Sequence, residues 1–371
     1  MASCKVSLLR NKIPSKCMQS FISQDILRVK NIFDNYTPQF VNLPGMVIHR
    51  SSSYIASTLH LPNKLCTEES RKKKIIIGKR NQMFIKEQNR QKDLIPRAEK
   101  IQVHYKGAPE DVKLLLNKGM STPFDIAQHI TEDLVEQSAL ALVNGDIWDM
   151  GRPLEDDCTV ELLHFYMEEP FHLNRAFWRS CSFLLGAALD SVFKEEVNVL
   201  LHSFPAPNVT TGSFIYDVDL NISEWSPTKE ELMAISASMH RLSERGLPFE
   251  RLVVDQTLAA EMFADNKYKA KQIRNIASKS KSGQSVTLYR VGDHVDISGG
   301  PMVGDTSFLG RRCTIAASHQ INYDGVNLYR FQGVALPKAV FLSHFAFGVL
   351  EKRASKLNEC NLNSAQRVNP V

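Results

Sequence analysis

The chain has 371 residues, of which 43% are hydrophobic and 23% are charged. This composition is typical of soluble globular proteins, and the length corresponds to two or three domains. The longest near-uniform apolar stretch covers only residues 183–189. A membrane span needs about 20 apolar residues, so no span is predicted. The 7 cysteines form no CxxC or CxH pair, which argues against a disulfide scaffold or zinc ribbon and favours a reducing compartment.

The net charge of +5 is unevenly distributed along the chain. Residues 1–98 contain 18 Lys and Arg against 6 Asp and Glu, a net of +12, so residues 99–371 carry −7. We therefore expect an acidic globular body with a basic N-terminal arm. Basic arms commonly bind phosphate backbones or anionic membranes.

Residues 1–30 have the composition of a mitochondrial transit peptide. Lysine, arginine and serine recur there, and no acidic residue precedes Asp25. A secretory signal is not predicted, because no compact apolar region follows the charges. The alternative is an ordinary basic N-terminus without a targeting role. The pattern favours import into the mitochondrial matrix.

Residues 31–98 are expected to form a basic, poorly structured arm. The segment 79–93 is compatible with a helix, but it has few apolar residues. A segment this charged cannot hold a core of its own, so it should be flexible or lie on a partner, for which RNA phosphate is the natural choice. The candidate RNA-binding residues are Arg71, Lys72, Lys73, Lys74, Lys79, Arg80, Arg90 and Lys92.

Residues 99–168 have the pattern of a small β-grasp module. Apolar residues alternate with polar ones from Ile101 to Tyr105, as in a half-buried strand. Thr122 followed by Pro123 predicts a helix start, and Asn144-Gly145 predicts a hairpin turn. The element order is strand, strand, helix, strand, strand, strand, which is ubiquitin-like. No nucleophile–base pair or phosphate loop is present, so a binding module is predicted.

Residues 172–357 are expected to form a larger α+β domain, followed by a polar, frayed tail over 358–371. An apolar face at helical spacing predicts the strongest helix at 177–193. Asp324-Gly325 predicts a hairpin turn. Further helices are predicted at 228–245, 256–264 and 339–355, and strands at 213–218, 286–290, 295–297, 314–316 and 328–331.

The two modules in this order resemble the N-terminal half of threonyl-tRNA synthetase, a TGS domain followed by the domain that hydrolyses mischarged tRNA. The resemblance covers roughly residues 99–357 and implies an α+β fold of a TGS-like β-grasp module followed by an editing-like domain. It rests on five sequence segments: LVNG at 142–145, WRSCSFLLG at 178–186, FIYD at 214–217, VDISGGPMV at 295–303 and RFQGVA at 330–335.

The resemblance also implies an editing site, built from two histidines four apart on a helix and a cysteine and a histidine four apart on a loop. Here those positions are Arg179, Phe183, Ser298 and Met302. Arginine cannot accept a proton, and phenylalanine has no polar group that could bind a water. The serine hydroxyl and the methionine thioether are poor zinc ligands. We therefore expect no catalytic residue, no metal, no cofactor and no small-molecule substrate.

Four further segments are AFWRSC at 176–181, EWSPTKE at 224–230, LPFE at 247–250 and RFQGV at 330–334. With these segments, the order of transit peptide, basic arm, TGS-like module and inactive editing domain resembles the family of mitochondrial large-subunit ribosomal proteins numbered thirty-nine. The resemblance implies a structural, non-enzymatic protein of mitochondrial translation that binds rRNA and neighbouring ribosomal proteins. Two alternatives are a freestanding deacylase for mischarged tRNA and a TGS-type RNA-binding scaffold outside the ribosome.

Two smaller features have both a binding and a packing interpretation. Trp148, Trp178 and Trp225 are candidate stacking platforms for RNA, although Trp178 lies beside the predicted core stripe. The turn at Gly299-Gly300 is a candidate phosphate cradle, with a tight structural turn as the favoured interpretation.

Overall fold

The computed structural model describes residues 68–95, 99–168, 170–193, 197–222, 225–280 and 282–362. The predicted transit peptide, the arm up to residue 67 and the last nine residues lie outside these ranges, as does the side chain of Arg71. Helix α1 (Glu68–Asp93) begins the described part. No helix within it is long and apolar enough to cross a bilayer.

The β-grasp module is a mixed five-stranded sheet with two short helices. Its elements are β1 (Lys100–Tyr105), β2 (Val112–Asn117), α2 (Pro123–Ile130), α3 (Glu132–Gln137), β3 (Ser138–Val143), β4 (Asp146–Trp148) and β5 (Cys158–His164). The strand order is β2-β1-β5-β3-β4, with β1 and β5 parallel at the centre. The inward-facing Ile101, Val103 and Tyr105 are buried, as their alternation predicts. This sheet agrees with the predicted ubiquitin-like topology.

Local sequence signals place the helices and turns of this module. Thr122 and Asp125 form a reciprocal capping box at the start of α2. The structure divides the single predicted helix at Thr131, whose side chain accepts a hydrogen bond from the Leu134 N–H and so caps α3. Asn144 and Gly145 both have positive φ, as a two-residue hairpin turn requires.

The larger domain contains two antiparallel sheets. Its elements are α4 (Phe171–Val192), β6 (Val199–Ser203), β7 (Phe214–Leu220), α5 (Lys229–Glu244), β8 (Glu250–Asp255), α6 (Gln256–Met262), α7 (Lys267–Ala277), β9 (Ser285–Val291), β10 (His294–Ile297), β11 (Leu309–Tyr323), β12 (Val326–Pro337) and α8 (His344–Ala354). The sheet orders are β10-β9-β8 and β11-β12-β7-β6. The sequence prediction missed β6, β8 and α7, and it made β11 and β12 too short.

Helix α4 lies at the centre of the main hydrophobic core. Of its 22 residues, 15 are buried, so it packs on nearly all sides rather than along one stripe. Gly186 allows β7 to approach closely, because a Cβ there would lie 2.6 Å from the Tyr216 ring. The core also contains residues of both sheets, which fixes the position of the helix relative to the loop that follows β10.

A buried carboxylate joins the two modules. Asp149, directly after β4, accepts hydrogen bonds from the Tyr289 hydroxyl at 2.9 and 3.0 Å and from the Met302 N–H at 2.9 Å. Burial raises the pKa of Asp149, while these hydrogen bonds oppose the rise. The β-grasp module therefore holds the loop that carries Met302.

The position of α1 differs from the sequence expectation of a poorly structured arm. Its Phe84 is fully buried in a cluster with α6, α7 and the three-stranded sheet. Arg80 makes a bidentate ion pair with Asp265 and lies 4.6 Å from the Phe263 ring centroid. One buried aromatic residue and a few long-range polar contacts thus dock this charged helix on the chain's own body, although its composition favours flexibility.

A further contact of α1 has a measurable pH dependence. The Lys73 Nζ lies 3.0 Å from Asp190 Oδ1. Burial alone would raise the pKa of Asp190, but His294 and Lys73 hold it at about 2, against an ordinary value of 3.8. A lowered carboxyl pKa stabilises the fold above pH 3.8, and this stabilisation is lost as the pH falls through about 2.

We therefore expect Asp190→Asn to lower the free energy of unfolding by about 2 kcal/mol at pH 7 and by only about 1 kcal/mol at pH 3. Urea denaturation at both pH values measures this difference. Asp146→Asn removes an exposed carboxylate from the turn end of β4 and is the control, with an expected change below about 0.5 kcal/mol. A loss for Asp190→Asn that is equal at pH 7 and pH 3 contradicts the prediction.

The start of the C-terminal tail also differs from the expected frayed segment. Asn358 is 5% exposed, and its side-chain amide donates hydrogen bonds to Ser213 and Thr211. Its backbone carbonyl accepts a hydrogen bond from Arg330 at 2.6 Å. The expectation of fraying is therefore wrong for this residue, because buried polar groups of the four-stranded sheet bind it. Residues 363–371 of the tail lie outside the described part.

Candidate functional site

The helix and the loop of the predicted inactive site meet in the structure. Arg179 and Phe183 lie one turn apart on α4, and Ser298 and Met302 lie on the loop after β10. The Arg179 Nη1 donates a hydrogen bond of 2.9 Å to the carbonyl oxygen of Pro301 on that loop. The two pairs, which are more than 100 residues apart in sequence, therefore belong to one region of the fold.

Two of the four residues are packed in the core. Phe183 is fully buried, and its ring centroid lies 5.9 Å from that of Phe249 and 5.2 Å from that of His294. Met302 is 1% exposed, and its sulfur lies 3.6 Å from the Ser180 hydroxyl, which is a hydrogen-bond donor to it. Apolar side chains thus occupy positions where the resemblance implies imidazoles.

The other two residues line a cleft of about 790 Å³. Ser298 accepts a hydrogen bond from the Gly300 N–H at 3.3 Å, within the turn of its own loop. Burial lowers the pKa of Arg179, but a guanidinium remains protonated and donates only. The floor of the cleft can therefore donate hydrogen bonds to an anion, but Arg179 cannot act as a general base.

A buried cluster next to this cleft, whose Lys269 is part of the cleft lining, was not predicted as a site from the sequence. Lys269 Nζ lies 2.6 Å from Asp296 Oδ1 and 3.0 Å from the Tyr216 hydroxyl oxygen. The Tyr216 hydroxyl donates to Asp296 Oδ2 at 2.5 Å. The sequence signal for this cluster is the position of Lys269. This lysine begins a stripe of buried residues on α7 that continues with Ile273 and Ala277.

The charges of this cluster compensate each other. Burial lowers the pKa of Lys269, and Asp296 opposes that shift. Burial alone would raise the pKa of Asp296, but Lys269 holds it below its ordinary value. Each charged group is 3% exposed or less. The cluster is thus a closed ion pair within the core, with both groups engaged by their neighbours.

The candidate RNA-binding residues on α1 fall into two groups. Lys73, Lys79, Arg80 and Arg90 form ion pairs within the chain, the last of them with Glu87 on the same helix. Lys72 also makes an intramolecular interaction. Lys74 and Lys92 are exposed.

The three tryptophans and the glycine turn have structural contacts. Trp178 is 3% exposed, Trp225 packs on Tyr329 at 5.6 Å, and the Arg152 guanidinium lies 3.3 Å from the Trp148 ring centroid. Gly300 has φ +62, and a Cβ there would lie 2.0 Å from the Tyr289 hydroxyl oxygen. The glycine thus permits a close approach, which favours the structural interpretation of the turn.

In the described part of the chain, no group of three or more His, Cys, Asp or Glu side chains is placed to hold a metal ion. The arrangement instead combines the guanidinium of Arg179, which only donates, and the hydroxyl of Ser298 with the buried ion pair of Lys269 and Asp296. Its chemistry suits binding of an anion.

Comparison with known proteins identifies a domain family in the first part of the described chain. The TGS domain family matches residues 94–164. Large ribosomal subunit protein mL39 of Drosophila melanogaster is 51% identical over 289 residues, which cover 77% of this chain and 86% of that protein.

Threonine–tRNA ligases are more distant relatives. A probable cytoplasmic threonine–tRNA ligase 1 of Dictyostelium discoideum is 34% identical over 193 residues, and human cytoplasmic threonine–tRNA ligase 2 is 30% identical over 221 residues. The alignments cover 52% and 58% of this chain, but only 25% of each ligase. The predicted fold class and the resemblance to this family are confirmed.

Proposed function

Because the chain belongs to the family of large ribosomal subunit protein mL39, we propose that it is a structural constituent of the mitochondrial large ribosomal subunit. There it binds rRNA and neighbouring ribosomal proteins, in the mitochondrial matrix, and takes part in mitochondrial translation. This family is one of ribosomal proteins rather than enzymes.

The observation that carries the proposal is the packed state of the editing-like positions. Phe183 and Met302 are core residues, and Arg179 is bound to the loop backbone. The fold keeps its architecture, but its pocket holds no set of histidines and cysteine. Such a protein is suited to bind partners through its outer surface. Function then lies in the exterior of the two modules and of α1.

The exposed side of α1 supports RNA contact. Lys74, Lys86 and Lys92 are exposed there, alongside Ile75, which is 69% exposed. The helix as a whole carries nine Lys and Arg against four Asp and Glu. Lysines on a rigid helix bind phosphates with less loss of conformational entropy than lysines on a flexible arm. The isoleucine supplies an apolar contact for a neighbouring protein or base.

Sedimentation tests the ribosomal assignment. In a sucrose gradient of mitochondrial lysate, the chain should migrate with the large subunit and shift with it when subunits join or separate. Recovery only in light fractions, clear of both subunits, would contradict the proposal and favour the scaffold alternative.

Charge reversal on α1 tests the RNA contact. We expect the triple variant Lys74→Glu, Lys86→Glu and Lys92→Glu to reduce incorporation into the large subunit by at least about tenfold. For binding to purified large-subunit rRNA, the slope of log affinity against log salt should fall by up to about 3, because each phosphate contact contributes about 0.9.

A matched control reverses three exposed lysines away from α1 and thus makes the same change in net charge. These are Lys106, Lys113 and Lys229. The control should incorporate as the wild type does. An equal loss in both triple variants would show that total charge, rather than the α1 surface, governs binding.

A further inference from the structure

The start of α8 carries the two most exposed aromatic side chains of the described residues. Phe341, in the loop before the helix, is 78% exposed, and Phe345, in its first turn, is 61% exposed. The helix packs on the four-stranded sheet through other residues, among them Phe347 and Leu350. The two exposed rings therefore extend an apolar cluster to the surface, and a surface patch of this kind is typical of a binding site.

The backbone that carries these rings is held at both ends. The Lys338 N–H donates a hydrogen bond of 3.0 Å to the Phe308 carbonyl oxygen, just after β12 ends. Ser343 caps α8, since its hydroxyl accepts a hydrogen bond of 3.2 Å from the Ala346 N–H. A partner that binds the rings thus loses little affinity to the ordering of this segment.

Three cations lie around the rings. The Arg312 guanidinium is 5.4 Å from the ring centroid of Phe347 in the first half of α8. Since the first residue of β11 pairs with the last residue of β12, Arg311 and Lys338 lie at the same end of this hairpin. Both are exposed, and neither forms an ion pair with another described residue. Their charges are therefore available to a partner.

The charge around the rings limits what can cover them. Residues 306–350 contain four Lys and Arg and one acidic residue, Asp324, which lies at the turn end of the hairpin, away from α8. Residues 1–67 of this chain hold 8 Lys and Arg against 2 Asp and Glu, so their charge is of the wrong sign. A second copy in a two-fold contact would place the same cations against each other. The charge thus favours an anionic partner of another kind.

The apolar content of the patch distinguishes a protein partner from a nucleic acid. Phenylalanine offers no hydrogen bond, and the half-buried aliphatic side chains of Val340 and Leu342 lie beside the rings. Interfaces with nucleic acid are more polar than those between proteins. A protein interface combines an apolar centre with a polar rim, which is the arrangement of rings and cations at the start of α8.

We propose that the start of α8 is a docking surface for an acidic amphipathic segment of a neighbouring protein in the large subunit. Apolar side chains of that segment pack on Phe341 and Phe345. Its carboxylates pair with Arg311, Arg312 and Lys338. Aromatic and arginine side chains in such positions contribute most of the binding energy of many interfaces. The inference rests on the proposed function and adds to it the surface and the chemistry of one protein partner.

Photo-crosslinking in the large subunit tests this surface. Phe341 is replaced by p-benzoylphenylalanine, which keeps an aromatic ring at the exposed position, and the large-subunit fraction of a sucrose gradient is irradiated. We expect an adduct with one other protein that survives ribonuclease. Mass spectrometry should place the crosslink in a segment that contains both apolar and acidic residues. An adduct with rRNA, an adduct with a second copy of this chain, or the absence of any adduct overturns the inference.

Further substitutions in this photo-crosslinking background test the rim and the centre. Arg311→Glu with Lys338→Glu should lower the adduct yield per chain at least about fivefold, because like charges then face the partner. Phe345→Ala should also lower it at least about fivefold. The control Lys106→Glu with Lys229→Glu makes the same charge change at two exposed positions elsewhere and should stay within about twofold. Circular dichroism confirms that each variant is folded. An equal loss in the control contradicts the inference.

The two proposals fail in distinguishable ways. A chain that sediments with the large subunit but gives only RNA adducts overturns the docking inference and leaves the ribosomal proposal intact. A chain that never migrates with the large subunit, but is crosslinked from position 341 to an acidic segment of another protein in light fractions, overturns the ribosomal assignment and supports the chemistry of the surface.

Discussion

Replacement of Lys269 by methionine should lower the free energy of unfolding by about 3–5 kcal/mol, because it leaves a buried carboxylate without its cation. Asp296 is 1% exposed and lies 2.6 Å from the Lys269 ammonium. Methionine preserves much of the side-chain volume, so the loss reflects the unpaired charge more than a cavity. Equilibrium denaturation in urea at pH 7 measures it.

Lys271→Met is the matched control, since Lys271 lies on the same helix but is exposed. Its expected effect is below about 0.5 kcal/mol. The double variant Lys269→Met, Asp296→Leu should recover part of the stability lost in Lys269→Met, because it removes both charges together. A single-variant loss of less than about 1 kcal/mol would refute the closed ion pair.

Arg330→Met should have an effect of similar size, about 3–5 kcal/mol. Arg330 is 1% exposed and forms a bidentate pair with Asp217 through hydrogen bonds of 2.8 and 2.7 Å. It also donates to the carbonyl oxygens of Asn358 and Cys360. Its removal leaves the Asp217 carboxylate unpaired and frees two acceptors of the C-terminal segment.

This variant should therefore show two changes: a lower free energy of unfolding, and faster proteolytic cleavage near residues 356–362 under native conditions. Arg311→Met, at an exposed position of β11, is the control for the loss of an arginine. Destabilisation without faster cleavage would contradict the role of Arg330 in holding the tail.

Short-range sequence signals were sufficient to predict many elements of the fold. Thr122 with Pro123 marked the start of α2, and Asn144-Gly145 and Asp324-Gly325 marked turns whose residues have positive φ in the structure. These signals act within a few residues, so no tertiary information is needed. Long-range pairing explains the missed strand β8: its Leu252 pairs with Leu288, 36 positions later.

The candidate site was predictable in its chemistry and not in its shape. The residue types at Arg179, Phe183, Ser298 and Met302 already predict the absence of a histidine–cysteine set, whatever their geometry. The cleft depends on α7, whose buried stripe begins with Lys269, so the apolar part of the stripe is only Ile273 and Ala277 and is too short to predict the helix by itself. The lining of the cleft joins residues from separate segments, such as His202, Tyr268 and Tyr323.

The sequence by itself determined the order of the two modules, the capped helix starts and hairpin turns, and the types of side chain at the editing-like positions, since each depends on neighbouring residues or on residue chemistry alone. The tertiary structure decided the rest. It docked α1 through Phe84, paired Lys269 with Asp296 and enclosed the tail at Asn358. The physical reason is that a buried charge or a charged helix is stable only where distant parts of the chain supply its partners.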